Sequence, residues 1–231
     1  MEENAQSVSA GRKPADEASE NSAASFAKNG FLVLRGFVNN PALTFLYEYA
    51  SKAAEFGKTN LDDPQVPNTP SQYGDAIMES LMEGLLPRLE ITTGIKLDPT
   101  YAYFRVYKHG DVLKRHTDRP ACEVSVTLSL GYSANADGNT NRKNVWPIWI
   151  EQSGVAQSFA LEPGDALVYK GVQTPHWRES FSGERAAQVF MHYVDQNGPF
   201  KDWKLDKRAA LSTTAVTRQI MSGFGISGTN T

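Results

Sequence analysis

Residues 123–130, Glu-Val-Ser-Val-Thr-Leu-Ser-Leu, alternate polar and apolar without a break. Successive side chains of an extended chain point to opposite faces, so this stretch predicts a strand whose two faces meet different surroundings. Short runs rich in β-branched and aromatic residues predict further strands at 31–38, 101–107, 144–151, 156–161, 166–169 and 186–194. Turn signals separate them at Asp137-Gly138-Asn139, Pro163-Gly164-Asp165 and Ser182-Gly183. Many short strands joined by tight turns predict an all-β sandwich or jelly roll. Two stretches change period. After Asn40-Pro41, a stripe of Leu43, Leu46, Tyr47 and Ala50 predicts a helix ending near Gly57. Ile77, Leu81, Leu85 and Leu86 mark a second helix from Asp75 to about Thr92, which Pro87 is expected to kink or divide. Both helices are expected on the outside of the β core.

The ends and one loop break this pattern. Residues 1–24 are rich in Ala, Ser, Glu and Asn and hold almost nothing large and apolar, so they read as a disordered tail. The folded domain is expected over 25–205, followed by a C-terminal extension, 206–231, that frays from about Ser222. Residues 58–74 carry three prolines and read as a long loop, a common site for a functional lid.

Composition narrows the classes. With 40% hydrophobic and 21% charged residues the chain is globular, and a net charge of −3 speaks against a broad nucleic-acid-binding face. The single cysteine, Cys122, excludes an intrachain disulfide and a multi-cysteine zinc site. It reads as a small buried hydrophobe. No apolar run approaches membrane-spanning length, and the polar start is unlike a secretory signal. A reducing, cytoplasm-like compartment is the expectation.

The candidate chemistry sits in residues 107–118, which end in His116-Thr117-Asp118. On a strand, His116 and Asp118 present an imidazole and a carboxylate to the same side. A second imidazole would complete the two-His-one-carboxylate set of non-haem Fe(II) oxygenases, which leaves coordination positions open. Of the other histidines, His176 fits best, because it follows a turn and an apolar strand that return the chain. His192, inside a late strand, reads as structural, and His109, in a turn, as solvated.

His116-x-Asp118 with His176 downstream resembles the iron triad of the Fe(II)/2-oxoglutarate-dependent dioxygenases. The likeness is nearest the prolyl-4-hydroxylase-like branch and covers roughly residues 100–195. It implies a mainly β fold with flanking helices, a double-stranded β-helix (jelly roll, cupin-like). It implies Fe(II) as cofactor, with 2-oxoglutarate and O2 as co-substrates. Arg185, nine residues past His176, stands near where that branch pairs a basic residue with the distal carboxylate of 2-oxoglutarate. Tyr107, in Tyr107-x-x-Gly110, matches a tyrosine that contacts the co-substrate, and Pro163-Gly164-Asp165 is a further shared feature. Asp118, where halogenating relatives carry Gly or Ala, favours hydroxylation. The chain departs from the family pattern twice. Ala187 stands where an Arg-x-Ser branch has serine, and Trp146-Pro147-Ile148-Trp149 replaces a Gly-Gly-Glu stretch, which argues against a prolyl substrate.

Other residues are weaker candidates. Ser125, Thr127 and Ser129 share the polar face of their strand, and Thr127 is a candidate to hydrogen-bond the co-substrate. Arg119, Trp177 and Arg178 flank the ligands and are candidates to line the substrate mouth; the plainer alternative for the arginines is pairing with Glu123 or Glu179. Substrate contacts are expected from residues 58–74, 135–144 and the segment after Pro199. The reading leans to a small-molecule substrate over a protein side chain, with no nucleic acid and no membrane. Its rivals are a cupin-like iron enzyme that does not use 2-oxoglutarate and a non-catalytic jelly-roll binding module.

Overall fold

The computed structural model describes residues 14–133 and 145–212. Residues 1–13, the expected turn at 137–139, the expected substrate loop at 135–144 and the expected frayed end lie outside them.

The described residues form two antiparallel sheets. Strands β1 (Phe31–Leu34), β2 (Ser71–Tyr73), β3 (Leu97–Lys108), β5 (Val124–Tyr132), β8 (Ala166–Tyr169) and β10 (Arg185–Asp195) make the larger one, in the order β1-β8-β5-β10-β3-β2. Strands β4 (Leu113–His116), β6 (Ile148–Gln152), β7 (Val155–Phe159) and β9 (His176–Arg178) make the smaller, in the order β4-β9-β6-β7. Together they form the expected double-stranded β-helix.

Three helices accompany the larger sheet: α1 (Pro14–Asn29), α2 (Ala42–Glu55) and α3 (Ala76–Thr93). The alternation along β5 decides why they sit there. Val124, Val126, Leu128 and Leu130 join Val189 and Met191 of β10 in one apolar cluster with Leu43 and Leu46 of α2 and Met78 and Met82 of α3. Burying a Leu or Met side chain stabilises by about 1.5–3 kcal/mol, so this face holds the helices on the sheet. Asp75 caps α3 by accepting hydrogen bonds from the Ile77 and Met78 amides, and Gly94, at φ 71°, ends it.

Some expectations change. Helix α1 starts at Pro14, inside the stretch expected to be a disordered tail. Ala-rich sequence has high helix propensity, and the buried Phe26 anchors the helix to the core. Pro87 does not divide α3, which runs through it, because Met82 before and Leu89 after are both fully buried. The 58–74 loop ends in β2, an edge strand on β3. The expected domain end at residue 205 falls within a 3-10 segment, Lys201–Lys207, that lies against β3. No described helix is long and apolar enough to cross a membrane.

The Pro163-Gly164-Asp165 turn forms as expected. A Cβ at Gly164, which has φ 90°, would lie 2.3 Å from the Val38 carbonyl oxygen. The Asp165 carboxylate accepts from the Gly36 and Glu162 amides and pairs with Arg35, tying the start of β8 to the end of β1.

Candidate active site

The smaller sheet brings the two histidines together, since His116 of β4 stands directly opposite His176 of β9. Their ring centroids are 4.2 Å apart. Asp118 Oδ1 lies 3.7 Å from His116 Nε2 and 3.6 Å from His176 Nε2. One ligating atom from each of the three residues falls within 4.8 Å of the others, a spacing that a single metal ion spans.

The remaining atoms of the triad hold the donors in the form that a metal needs. His116 Nδ1 lies 2.8 Å from the Lys114 carbonyl oxygen, and His176 Nδ1 lies 3.0 Å from that of Thr174. A carbonyl only accepts, so each Nδ1 carries the proton and each Nε2 offers a lone pair. Ser125 Oγ donates to Asp118 Oδ2 at 2.8 Å, which leaves Oδ1 toward the imidazoles. Burial sets His176 below its ordinary pKa against the opposing pull of the Asp118 charge, which favours the neutral, ligating imidazole. Two imidazole nitrogens and a carboxylate oxygen suit Fe(II). The backbone supports this arrangement. Asp118 N donates to the Gly171 carbonyl, and a Cβ on Gly171 would lie 2.5 Å from Asp118 Oδ2. Only glycine permits that approach.

Behind the triad stands a residue that sequence reading placed among structural ones. His192 Nδ1 is 2.9 Å from Ser125 Oγ. The serine hydrogen faces two acceptors, Asp118 Oδ2 and the Cys122 carbonyl, so the imidazole donates to the serine. The ring rests on Tyr101, with centroids 4.6 Å apart, and burial pushes its pKa down to about 4. The alternation of β10 was the available signal, since it puts His192 on the same face as Phe190. Asp118, Cys122 and His192 also lie within metal-ligand spacing of one another. Burial pushes the Cys122 thiol well above its ordinary pKa, and the Asp118 of this group already belongs to the triad.

The triad opens onto a cavity of about 410 Å³, lined also by Tyr73, Tyr101, Tyr103, Arg105, Tyr169 and Phe190. Asp63, from the 58–74 loop, pairs with Arg105 at 2.6 Å and accepts from the Tyr103 hydroxyl. Burial alone would raise the Asp63 carboxyl, but the Tyr103 hydrogen bond and the Arg105 charge hold it below the ordinary range. Asp206, from the Lys201–Lys207 segment, takes two hydrogen bonds from Arg119, at 2.6 and 2.7 Å, and one from Tyr73 at 2.5 Å. Three consecutive residues there, Leu205, Asp206 and Lys207, have φ between 52° and 58°, a left-handed conformation that costs energy without glycine. The 58–74 segment therefore reaches the cavity, and the segment after Pro199 braces two of its lining residues, Tyr73 and Arg119.

The other expected site residues divide. Arg119 lines the cavity, paired with Asp206. Thr127 faces inward from β5, fully buried, with no hydrogen-bond partner among the described residues. Tyr107 is fully buried beside Trp146 and accepts from Arg105 at 3.0 Å. Arg178 is wholly buried within the barrel. Trp177 points away, stacked on Trp149 across the outer face of the smaller sheet. Arg185 does not join the cavity either. Ala186 faces inward with Tyr107 and Trp146, so its neighbour Arg185 faces the helices, where its charge acts on Tyr47 of α2. His109 is exposed, as expected.

No protein-family model and no curated protein matches the chain. Solved structures do. A Pseudomonas putida prolyl-4-hydroxylase aligns with a TM-score of 0.62 at 15% identity, over 77% of this chain and 98% of that one. A Trichoplax adhaerens prolyl hydroxylase, solved with a hypoxia inducible factor peptide, aligns at 0.62 and 14%, over 84% and 94%. The alpha-ketoglutarate-dependent epimerase SnoN of nogalamycin biosynthesis aligns at 0.64 and 13%, over 84% and 90%. The fold is thus the double-stranded β-helix found in 2-oxoglutarate-Fe(II) oxygenases.

Proposed function

We propose that the chain is an Fe(II)- and 2-oxoglutarate-dependent dioxygenase that hydroxylates an unactivated C–H bond of a small molecule. The observation that carries this reading is the convergence of His116, Asp118 and His176, each donor preset by a hydrogen bond on its far side. In the reaction one oxygen atom of O2 enters succinate as 2-oxoglutarate loses CO2, and the other enters the substrate C–H bond as a hydroxyl. Iron, when bound, supplies the redox chemistry.

The chain's own residues supply the rest. The Lys114 and Thr174 carbonyls keep both Nε2 atoms unprotonated. Ser125, itself held by His192, fixes which Asp118 oxygen faces inward. Tyr169, whose hydroxyl lies 3.2 Å from His176 Nε2, and Phe190 and Leu113 limit water at the site. Asp63, Arg105 and Arg119 line the cavity, and Asp206 holds Arg119. Of the neighbours named above, one is a small-molecule biosynthetic enzyme and one was solved with a peptide. A cavity of this size, with its lining arginines held by carboxylates, favours the small molecule. Fe(II) chemistry and a lone buried thiol both suit a reducing, cytoplasm-like compartment.

The test is Fe(II)-dependent succinate formation from 2-oxoglutarate, with His116→Ala and Asp118→Ala compared with wild type. Both variants should lose turnover and Fe(II) binding. Equal succinate from all three proteins would sink the reading.

A further inference from the structure

We propose that residues 213–226, the stretch that follows Ser212, dock into an apolar groove between α2 and the start of α3. The groove measures about 570 Å³. Phe45, Tyr49, Ala53 and Phe56 form one wall, Phe104 of β3 its floor and Asp75 its edge. Phe45 and Phe56 are 58% and 68% exposed. Phe45 stacks on Tyr49, and the Tyr49 ring meets Phe104 edge-on, so the exposed rings continue inward as one aromatic surface. The stripe from Phe45 to Phe56 runs about 16 Å along the helix. A contiguous apolar stripe of this kind marks an interaction surface.

The described chain ends at this groove. Arg208 donates to Glu79 Oε1 at 2.6 Å. Ser212 gives Glu79 Oε2 its amide and, at 3.2 Å, its hydroxyl, while Leu211 packs on the core cluster. A Cβ on Gly74 would lie 3.8 Å from Glu79 Oε1, so Ser212 is held close to the Gly74–Asp75 step at the groove's edge. Glu79 is one helical turn from Asp75, about 5 Å along the axis. The residues after Ser212 thus reach the groove without a long span. A segment tethered so close needs little intrinsic affinity to occupy it.

Three stretches lie outside the described residues, and their composition selects one. Residues 134–144 hold no apolar side chain larger than alanine, and residues 1–13 hold only Met1 and Val8. Residues 213–226 hold Val216, Ile220, Met221, Phe224 and Ile226. Val216, Ile220 and Phe224 recur every four residues, as do Phe45, Tyr49 and Ala53 on the groove. Apolar anchors at that spacing suit a groove of this type. Arg218 is the one charged side chain from residue 213 to 231. Glu48 on the groove offers it a counterpart, since Lys52 holds that carboxylate only at 3.6 Å. Docking also anchors the far end of the stretch whose Asp206 braces Arg119 and Tyr73 at the cavity.

The experiment uses the full chain with Phe56 replaced by p-benzoylphenylalanine, a photoreactive ring at the exposed end of the groove. After irradiation, crosslinked peptides are identified by mass spectrometry. Residue 56 should join to residues 213–226 within one chain, with a yield that does not change on dilution. The same probe at Ile91, exposed and about 24 Å along α3 from Asp75, should give no such product. Adding Ile220→Asp and Phe224→Asp should abolish the residue 56 crosslink and raise the fluorescence of the dye anilinonaphthalene sulfonate as the groove opens, with circular dichroism unchanged. A crosslink between two chains that grows with concentration would assign the groove to a second copy and overturn the proposal. So would a probe at residue 56 that reaches nothing beyond residue 212, a crosslink that survives both substitutions, or dye fluorescence that stays at the wild-type level in the substituted protein.

Discussion

Along β5, Val126, Leu128 and Leu130 face the helices while Ser125, Thr127 and Ser129 face the smaller sheet, and all six are buried. β10 repeats the division, with Ala187, Val189 and Met191 toward the helices and Gln188, Phe190 and His192 toward the barrel. The outer face gains stability from apolar contact. The inner face buries hydroxyls, an amide, an imidazole and, from β3 and β9, Arg105 and Arg178. Several of these polar atoms lack partners among the described residues, so the inner face gives up stability that an apolar wall would supply. Burial alone therefore says little about purpose. On β5 and β10 the buried polar atoms without described partners all lie on the inner face.

The sharpest way to break this contrast is on the outer face. Leu128→Ala should cost about 2–5 kcal/mol of stability in a denaturant melt, because it leaves a cavity under the helices, yet the folded fraction should still bind Fe(II). Metal binding lost in proportion beyond unfolding would mean the faces are not separable. On the inner face, Ser125→Ala should weaken Fe(II) binding by about 10–100-fold, since it frees Asp118 Oδ2 and unseats His192, with a smaller change in melting temperature. Affinity measured by metal competition and left unchanged would remove Ser125 from its role.

Acid should then act on the ion pairs at the cavity wall. Asp63 and Asp206 both sit below the ordinary carboxylate range in the fold, Asp206 because the Arg119 and Tyr73 hydrogen bonds outweigh burial. A depressed carboxylate contributes stability above its unfolded pKa, about 3.9, and that stability is lost as pH falls through the lower folded value. Melting temperature should fall below about pH 4, and less steeply in Asp63→Asn. Parallel curves for the two proteins would exclude the Asp63–Arg105 pair as a contributor. The smallest effect is expected from Thr127→Val, which removes a buried hydroxyl without a partner. It should leave stability within about 1 kcal/mol of wild type, or raise it, while weakening 2-oxoglutarate binding. A loss well above that would mean the hydroxyl is satisfied in the fold.

Much of the fold was legible because alternation is a local property. The strict pattern at 123–130 became β5, and residues 166–169 became β8 without a shift in either bound. The proposed metal ligands were legible for a similar reason, since His116 and Asp118 are two residues apart and His176 follows a recognisable turn. Arg185 and His192 were less so. An offset of nine residues from His176 names a position on the chain, but the face on which it lands depends on local strand phase. Alternation runs unbroken along β10, with Ala186 inward and Ala187 toward the helices, so Arg185 falls on the helix side. The start of the fold was missed because small polar residues disguise a helix whose one large anchor, Phe26, comes at its end.

By itself the sequence determined seven of the ten described strands, two of the three described helices and the three proposed ligand residues, because each follows from spacing along a few residues. Only the tertiary structure decided which buried charges are balanced. Arg105 meets Asp63, Arg119 meets Asp206, and Arg178 meets no described carboxylate at all. Those pairings join residues far apart in the chain, and no local pattern of polar and apolar positions encodes the partner that a buried charge will find.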